Sequence, residues 1–153
     1  DYRTRLQGKT VEVAECVKDL PASGYLRSVL TKRYVRAFDF VLFQYTILAS
    51  TPSSLSFITA PNLDGYILKD SSTKKSFKAT DNGSSPTFMS ESPSVPTDWF
   101  VFCFEKVKNG YALRNIRTDE YLKVDGDRSN LKMAGGDPSS QGDWVVFDIT
   151  STY

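Results

Sequence analysis

The sequence predicts an all-β protein in which three repeated units close on one another. Three observations carry this. A phrase that opens Gly110-Tyr111-Ala112-Leu113-Arg114-Asn115 and runs through Tyr121-Leu122-Lys123-Val124 to Trp144-Val145-Val146-Phe147 has two earlier copies. One runs from Gly65-Tyr66-Ile67-Leu68-Lys69-Asp70 through Ser76-Phe77-Lys78-Ala79 to Trp99-Phe100-Val101-Phe102, the other from Gly24-Tyr25-Leu26-Arg27-Ser28 through Tyr34-Val35-Arg36-Ala37 to Leu55-Ser56-Phe57-Ile58. A period of about forty residues marks a chain built from one supersecondary unit said several times. Secondly, the apolar residues fall in short β-branched and aromatic runs, and no window sustains a helical period. Thirdly, Ser/Pro, Asn-Gly and Gly-Asp clusters punctuate those runs at short intervals, as hairpins require.

Taken in order, residues 1–9 are polar and expected to fray. Thr10 to Val17 alternates with period two and reads as a strand outside the repeats, able to pair with an exposed edge or to be the tail of a preceding domain. Pro21-Ala22-Ser23-Gly24 breaks the chain. The first unit, about 24–59, then has strands at Tyr25–Val29, Tyr34–Ala37, Phe40–Ala49 and Leu55–Thr59. The second, about 65–107, has them at Tyr66–Lys69, Ser76–Thr80, Thr87–Ser90 and Trp99–Val107, with a turn at 81–85. The third, about 110–150, has them at Tyr111–Ile116, Tyr121–Val124, Asn130–Ala134 and Trp144–Thr150. Nothing remains for a second domain within residues 1–153. Repeated hairpins of this kind hide their edges by closing.

Composition removes several function classes. With 153 residues, 40% hydrophobic and 24% charged, the chain is a globular domain able to bury a sizeable core. A net charge of +1, from 19 basic and 18 acidic residues, exerts no general pull on nucleic acid. No apolar run reaches the roughly 20 residues that span a bilayer, and no secretory leader opens the sequence. A chain that starts at Asp1 without methionine suits a processed or trimmed precursor. Histidine is absent, which takes away the usual general base and most zinc sites, so neither catalysis, a metal nor a cofactor is expected. Cys16 and Cys103 lie in apolar strands and read as buried free thiols rather than as a Cys16–Cys103 bridge. Free thiols suit a cytoplasmic or unconventionally secreted protein. Asn82-Gly83-Ser84 is a glycosylation triplet that matters only in a secreted one.

This pattern resembles the β-trefoil, which implies six strands in a short barrel, six more in hairpins capping one end, and pseudo-threefold symmetry. Within it, Tyr111-Ala-Leu-Arg-Asn115, Tyr121-Leu-Lys-Val124 and Gln141-Gly-Asp-Trp144 are similar to ricin-B-like lectin repeats. That resemblance implies a binding module for a glycan or glycoprotein, with several weak sites or a homo-oligomer raising avidity. Lys123, Lys78 and Arg36 stand where that family places its sugar-gripping aspartate. The sugar would therefore be held by the neighbouring turn, Asp125, Asp127 and Asn130, with Asn115 and Trp144. The Trp-Phe-Val-Phe and Trp-Val-Val-Phe strands also resemble fascin-type actin-bundling trefoils, and the order Ser90-Glu91, Phe100-Val101-Phe102, Gly135-Gly136 resembles interleukin-1-type cytokines. Those resemblances, with the protease inhibitors that share the fold, imply a protein partner instead. Fold alone does not choose among them.

Tyr25, Tyr66, Tyr111, Trp99 and Trp144 recur at equivalent strand positions and are expected to fill the barrel and its cap. Arg27, Lys69 and Arg114, like Arg36, Lys78 and Lys123, are expected at outward positions with their heads in water, a threefold anion or acidic-glycan site being the other reading. Asp125 and Asp127 flank Gly126 in a turn that aspartate favours by capping its own backbone. Alternation assigns Leu122 to the core and Lys123 to the outside. Leu122→Ala should thus lower unfolding free energy by about 2–5 kcal/mol and Lys123→Ala by under about 0.5 kcal/mol. Equal losses in denaturant titrations would reverse the two faces.

Overall fold

The three glycine–tyrosine pairs each stand at the start of a barrel strand, and at Gly65 and Gly110 the backbone of a neighbouring strand passes too close for a side chain. In the computed structural model, which describes residues 15–40, 43–80 and 83–153, a Cβ on Gly65 would lie 2.5 Å from the Phe102 carbonyl oxygen. One on Gly110 would collide with the carbonyl of Phe147 in the same way. Only glycine permits this approach, so the repeat begins with it.

The strands are β1 (Ser23–Ser28), β2 (Tyr34–Phe40), β3 (Phe43–Ala49), β4 (Leu55–Thr59), β5 (Tyr66–Asp70), β6 (Ser76–Lys78), β7 (Thr87–Met89), β8 (Val101–Val107), β9 (Gly110–Asn115), β10 (Tyr121–Val124), β11 (Leu131–Ala134) and β12 (Phe147–Thr150). The first and last strands of each unit pair in a ring: β1 with β4, β4 with β5, β5 with β8, β8 with β9, β9 with β12, and β12 back to β1, all antiparallel. The middle pairs, β2–β3, β6–β7 and β10–β11, form hairpins that hang from β1, β5 and β9. The fold is a β-trefoil.

One turn recurs at the foot of each hairpin. Ser28, Asp70 and Asn115 are all buried, and each accepts, through its side-chain oxygen, the backbone N–H of the threonine three residues on. Those threonines, Thr31, Thr73 and Thr118, accept in turn from the N–H of Arg33, Lys75 and Glu120. The intervening Lys32, Lys74 and Asp119 have left-handed backbones, with φ of 61°, 62° and 60°. The left-handed cost of about 1–2 kcal/mol each is carried by a backbone hydrogen bond from each of them to the buried residue.

Alternation sends Leu26, Leu68 and Leu113 inward together with Val35, Phe77 and Leu122, and all six are buried. Phe104 sits at the centre, meeting Phe57, Tyr66 and Tyr111 edge-on at 6.0, 6.1 and 5.9 Å between ring centroids, a geometry aromatic quadrupoles favour. Phe77 packs on Phe88 and Phe102, linking the cap to the barrel. Tyr66 is core, whereas Tyr25 is half-buried against Tyr34 and Tyr153.

Three expectations are corrected. Cys16 and Cys103 are joined in a disulfide, their Cα atoms 5.1 Å apart, and are not free thiols. The reason is pairing: Cys16 bridges to Glu105, and the Val17 N–H donates to the Phe104 carbonyl, so the end of the extra strand lies along β8 beside Cys103. Residues 10–14 of the expected strand Thr10–Val17, and residues 81–82 of the 81–85 turn with Asn82 among them, lie outside the described residues. Trp99 and Trp144 stand in 3-10 turns, Thr97–Phe100 and Gly142–Val145, so β8 and β12 start only at Val101 and Phe147. A third such turn spans Pro138–Ser140, capped by the Asp137 carboxylate on the Ser139 N–H. Phe40 ends β2, pairing with Phe43, and does not open the third strand.

The cations of the first strands are not free in water. Arg27 makes two bonds to the Asp148 carboxylate at 3.1 and 2.7 Å, and this partner holds its guanidinium above the usual range. Lys69 lies 3.9 Å from Glu91, and Arg114 bridges Glu105 and Asp119. The disulfide closes a loop of 87 residues in sequence separation. Constraining so long a loop should be worth about 2–5 kcal/mol. Reduction, or paired Cys16→Ala and Cys103→Ala changes, should therefore lower Tm by several degrees; an unchanged melt would show that the bridge carries no stability.

Candidate functional site

The third unit holds most of the predicted site. The chain leaving β10 folds into a six-residue turn, Asp125 to Asn130, in which the Asp125 N–H donates to the Asn130 carbonyl and Arg128 takes a left-handed φ of 61°. Its carboxylates brace it from within. Asp125 Oδ1 accepts from the Gly126 N–H at 2.7 Å, while Asp127 accepts from the N–H groups of Ser129 and Asn130 and from Asn130 Nδ2 at 2.6 Å. Aspartate at these two positions thus does what its turn propensity suggests. The first unit holds the turn from outside: Asn130 bridges to Ile47, and the Ser129 carbonyl accepts the Leu48 N–H.

Trp144 meets this turn through Arg128, whose guanidinium carbon lies 5.7 Å from the indole centroid. The ring is half-buried, packed against the main core on one side. Beside it, Lys123 Nζ donates to Gln141 Oε1 at 2.5 Å. Asp125, Asp127, Asn130 and Trp144 therefore belong to one patch of the rim, to which Lys123, Gln141 and Arg128 are added.

Asn115 does not belong to it. Its side chain is fully buried, with Nδ2 donating to the carbonyls of Trp99 and Val101 at 3.0 and 3.2 Å and Oδ1 accepting from the N–H groups of Arg117 and Thr118. It pins the 3-10 turn of the second unit to the third, a structural duty that leaves nothing for a ligand. The signal was present in the sequence, since Ser28 and Asp70 occupy the same repeat position with the same threonine three residues on.

The equivalent places in the other units differ. Trp99 is engaged by two cations, Lys78 at 4.6 Å and Arg117 at 5.5 Å, and Arg117 also reaches Asp98. In the first unit β3 and β4 are joined by residues 50–54 alone, with no 3-10 turn and no tryptophan. Here a cleft of about 540 Å³ opens between that short loop and the turn after β5. Spacing in the sequence did not reveal it.

The fold recurs widely among solved structures. A designed three-fold symmetric protein, ThreeFoil, superposes with a TM-score of 0.71 at 14% identity, covering 86% of this chain and 100% of that one. A salivary protein of Culex quinquefasciatus from the cysteine- and tryptophan-rich family gives 0.70 at 17% identity, covering 88% and 96%. A Polyporus squamosus lectin, bound to the epitope Neu5Aca2-6Galb1-4GlcNAc, gives 0.70 at 8% identity; the match covers 87% of this chain and 50% of that lectin. No protein-family model and no curated protein sequence matches the chain. At such identities the likeness is one of fold.

No helix among the described residues is long and apolar enough to cross a membrane, and no cluster of three metal-ligating side chains occurs among them. The Asp127 carboxyl is held below its ordinary value of 3.8, first by the Ser129 N–H and then by the Asn130 side chain. A depressed carboxylate contributes stability above its unfolded pKa and loses it as pH falls through the folded value, so the turn should keep its form from neutral pH down to about 4. Titration of the Asp127 side-chain carbon by NMR should give a midpoint below that of other exposed aspartates. A midpoint at or above theirs would mean that the brace is absent in solution.

Proposed function

We propose that this trefoil is a non-catalytic, lectin-like module that binds carbohydrate at the rim patch of its third unit. The observation that carries the reading is the pairing of a half-buried indole, Trp144, with a turn already locked by its own carboxylates. A sugar presents an apolar face to an aromatic ring and hydroxyls to polar groups beside it. Here Trp144 supplies the ring, while Asp125, Asp127 and Asn130 supply acceptors and an amide. Because the turn is fixed before binding, little order has to be imposed on it. The ligand shares or displaces the Arg128 guanidinium, a cation–π contact of about 0.5–1 kcal/mol at an exposed site, which keeps the affinity of a single patch low. Several patches or several copies would raise it.

The Polyporus squamosus lectin of the same fold, caught with a glycan epitope, supports the class of ligand and not its identity. The disulfide favours an oxidising compartment, in place of the cytoplasmic setting expected from free thiols. Residues 24–150 act in this reading as one domain of three repeats.

On a Trp99→Phe background, adding a binding glycan should change the fluorescence of Trp144, and Trp144→Ala should weaken binding at least tenfold, since stacking and burial of an aromatic ring are worth about 1.5 kcal/mol or more. A glycan array with no hits, together with unchanged Trp144 fluorescence, would overturn the reading. A single protein retained after glycan competition would put a protein partner in its place.

A further inference from the structure

We propose that the cleft of the first unit is a second ligand site, built for an oxyanion carried on a sugar: a sulfate ester or a carboxylate. The inference rests on the carbohydrate reading above and adds a charge preference to it.

The three repeat-equivalent cations decide the matter. Lys123 is spent on Gln141, and Lys78 on the Ala79 carbonyl and the face of Trp99. In both units the segment after the third strand carries the tryptophan-bearing 3-10 turn. The first unit lacks that turn, and its cation, Arg36, is exposed and lines an open cleft with Thr51, Ser53, Ser54, Ser71 and Thr73. Its Nη1 donates to Thr51 Oγ1 at 2.5 Å. A guanidinium carries five N–H donors in a planar fork, so this contact orients Arg36 without exhausting it.

The hydroxyls add donors in the same sense. Thr51 Oγ1 already accepts from Arg36, which leaves its own proton available to donate. Ser53 Oγ accepts the Ala37 N–H at 2.9 Å and has its proton likewise left to give. The carboxylate in the lining, Asp70, is only 3% exposed, and its oxygens accept from the Ser72 and Thr73 N–H groups and the Thr73 hydroxyl. Its oxygens are therefore engaged by the turn it caps, and its burial keeps them turned from the open side of the cleft. Thr46, the cross-strand partner of Ala37 in the cleft wall, is buried with a hydroxyl that has no hydrogen-bond partner among the described residues. Thr46 pairs with the wall and does not itself line the cleft. A cleft rich in donors, with one oriented fork and its carboxylate internally satisfied, suits a ligand rich in acceptors. Its volume is ample for a monosaccharide-sized group, and its lining includes no aromatic residue, so charge and hydroxyl contacts would carry the selectivity.

The test is an NMR titration of the intact protein with N-acetyllactosamine, its 6-sulfated form, a uronic-acid disaccharide and inorganic sulfate. The acidic sugars should shift the amides of residues 36, 37, 51–54 and 70–73, and raising the salt should weaken them. Arg36→Gln should reduce their affinity about tenfold or more, since it removes a charge-assisted bond; Arg36→Lys should keep part of it, and Trp144→Ala should leave it unchanged. Acidic-sugar binding that survives Arg36→Gln, or shifts confined to the third unit, would overturn the proposal while leaving the rim patch standing. Cleft shifts with the acidic sugars and none anywhere with the neutral one would support the cleft and sink the Trp144 patch. Shifts with inorganic sulfate alone would overturn both as sugar sites.

Discussion

Everything in this protein depends on the pairing of β1 with β12. Without it the six barrel strands would form an open, curved sheet whose edges, β1 and β12, carry unpaired N–H and C=O groups. The register Tyr25 to Thr150 through Ser28 to Phe147 removes both edges at once, and Arg27 clasps Asp148 across it with two hydrogen bonds. Once the ring is shut, the inward residues of all six barrel strands share one interior around Phe104. The hairpins then have a common floor to cap, and the repeated turns at Ser28, Asp70 and Asn115 aim each hairpin at it. Closure thus converts three locally similar segments into one cooperative core.

The skeleton is symmetric; the rim is not. Where the fold needs a group, the three units supply it three times: glycine against a crossing carbonyl, a buried capping side chain, a threonine, a left-handed residue. Where the fold is indifferent, they diverge. The segment between the third and fourth strands carries a tryptophan held by two cations in the second unit, a tryptophan beside a braced acidic turn in the third, and a short Ser/Pro loop over an open cleft in the first. Binding residues are disproportionately carried by loops that a rigid scaffold positions, and this segment differs in all three units. The same second-strand cation thus has three fates, set by the length and content of the loop that faces it.

How much of this could be read in advance follows from what each feature depends on. The strands and their grouping were legible because period-two alternation and turn residues are local properties; Tyr121–Val124 and Leu55–Thr59 were placed to the residue. Three features depend instead on contacts that are not local. The starts of β8 and β12 differ because an apolar Trp-Phe-Val-Phe run looks like strand throughout, while Thr97–Phe100 and Gly142–Val145 form 3-10 turns that only packing selects. The Phe40–Phe43 pairing lies in a run without any turn-forming residue, so nothing local marks it. The disulfide depends on the end of the N-terminal segment lying along β8, a contact across the whole chain. At the site, the turn of Asp125, Asp127 and Asn130 was readable from aspartate's habit of capping. Asn115 was misassigned because its residue type suits a ligand as well as it suits a buried cap. The cleft by Arg36 was invisible, being made by the absence of a segment its two counterparts possess.

Amide hydrogen exchange under native conditions tests the closure claim most directly. If the ring is sealed and cooperative, amides of the β1–β12 ladder should exchange only through global unfolding, with the same protection and the same denaturant dependence as those of β8–β9. Exchange in β1 and β12 that is markedly faster than in β8–β9 and insensitive to denaturant would show an edge that opens locally, and would contradict the account.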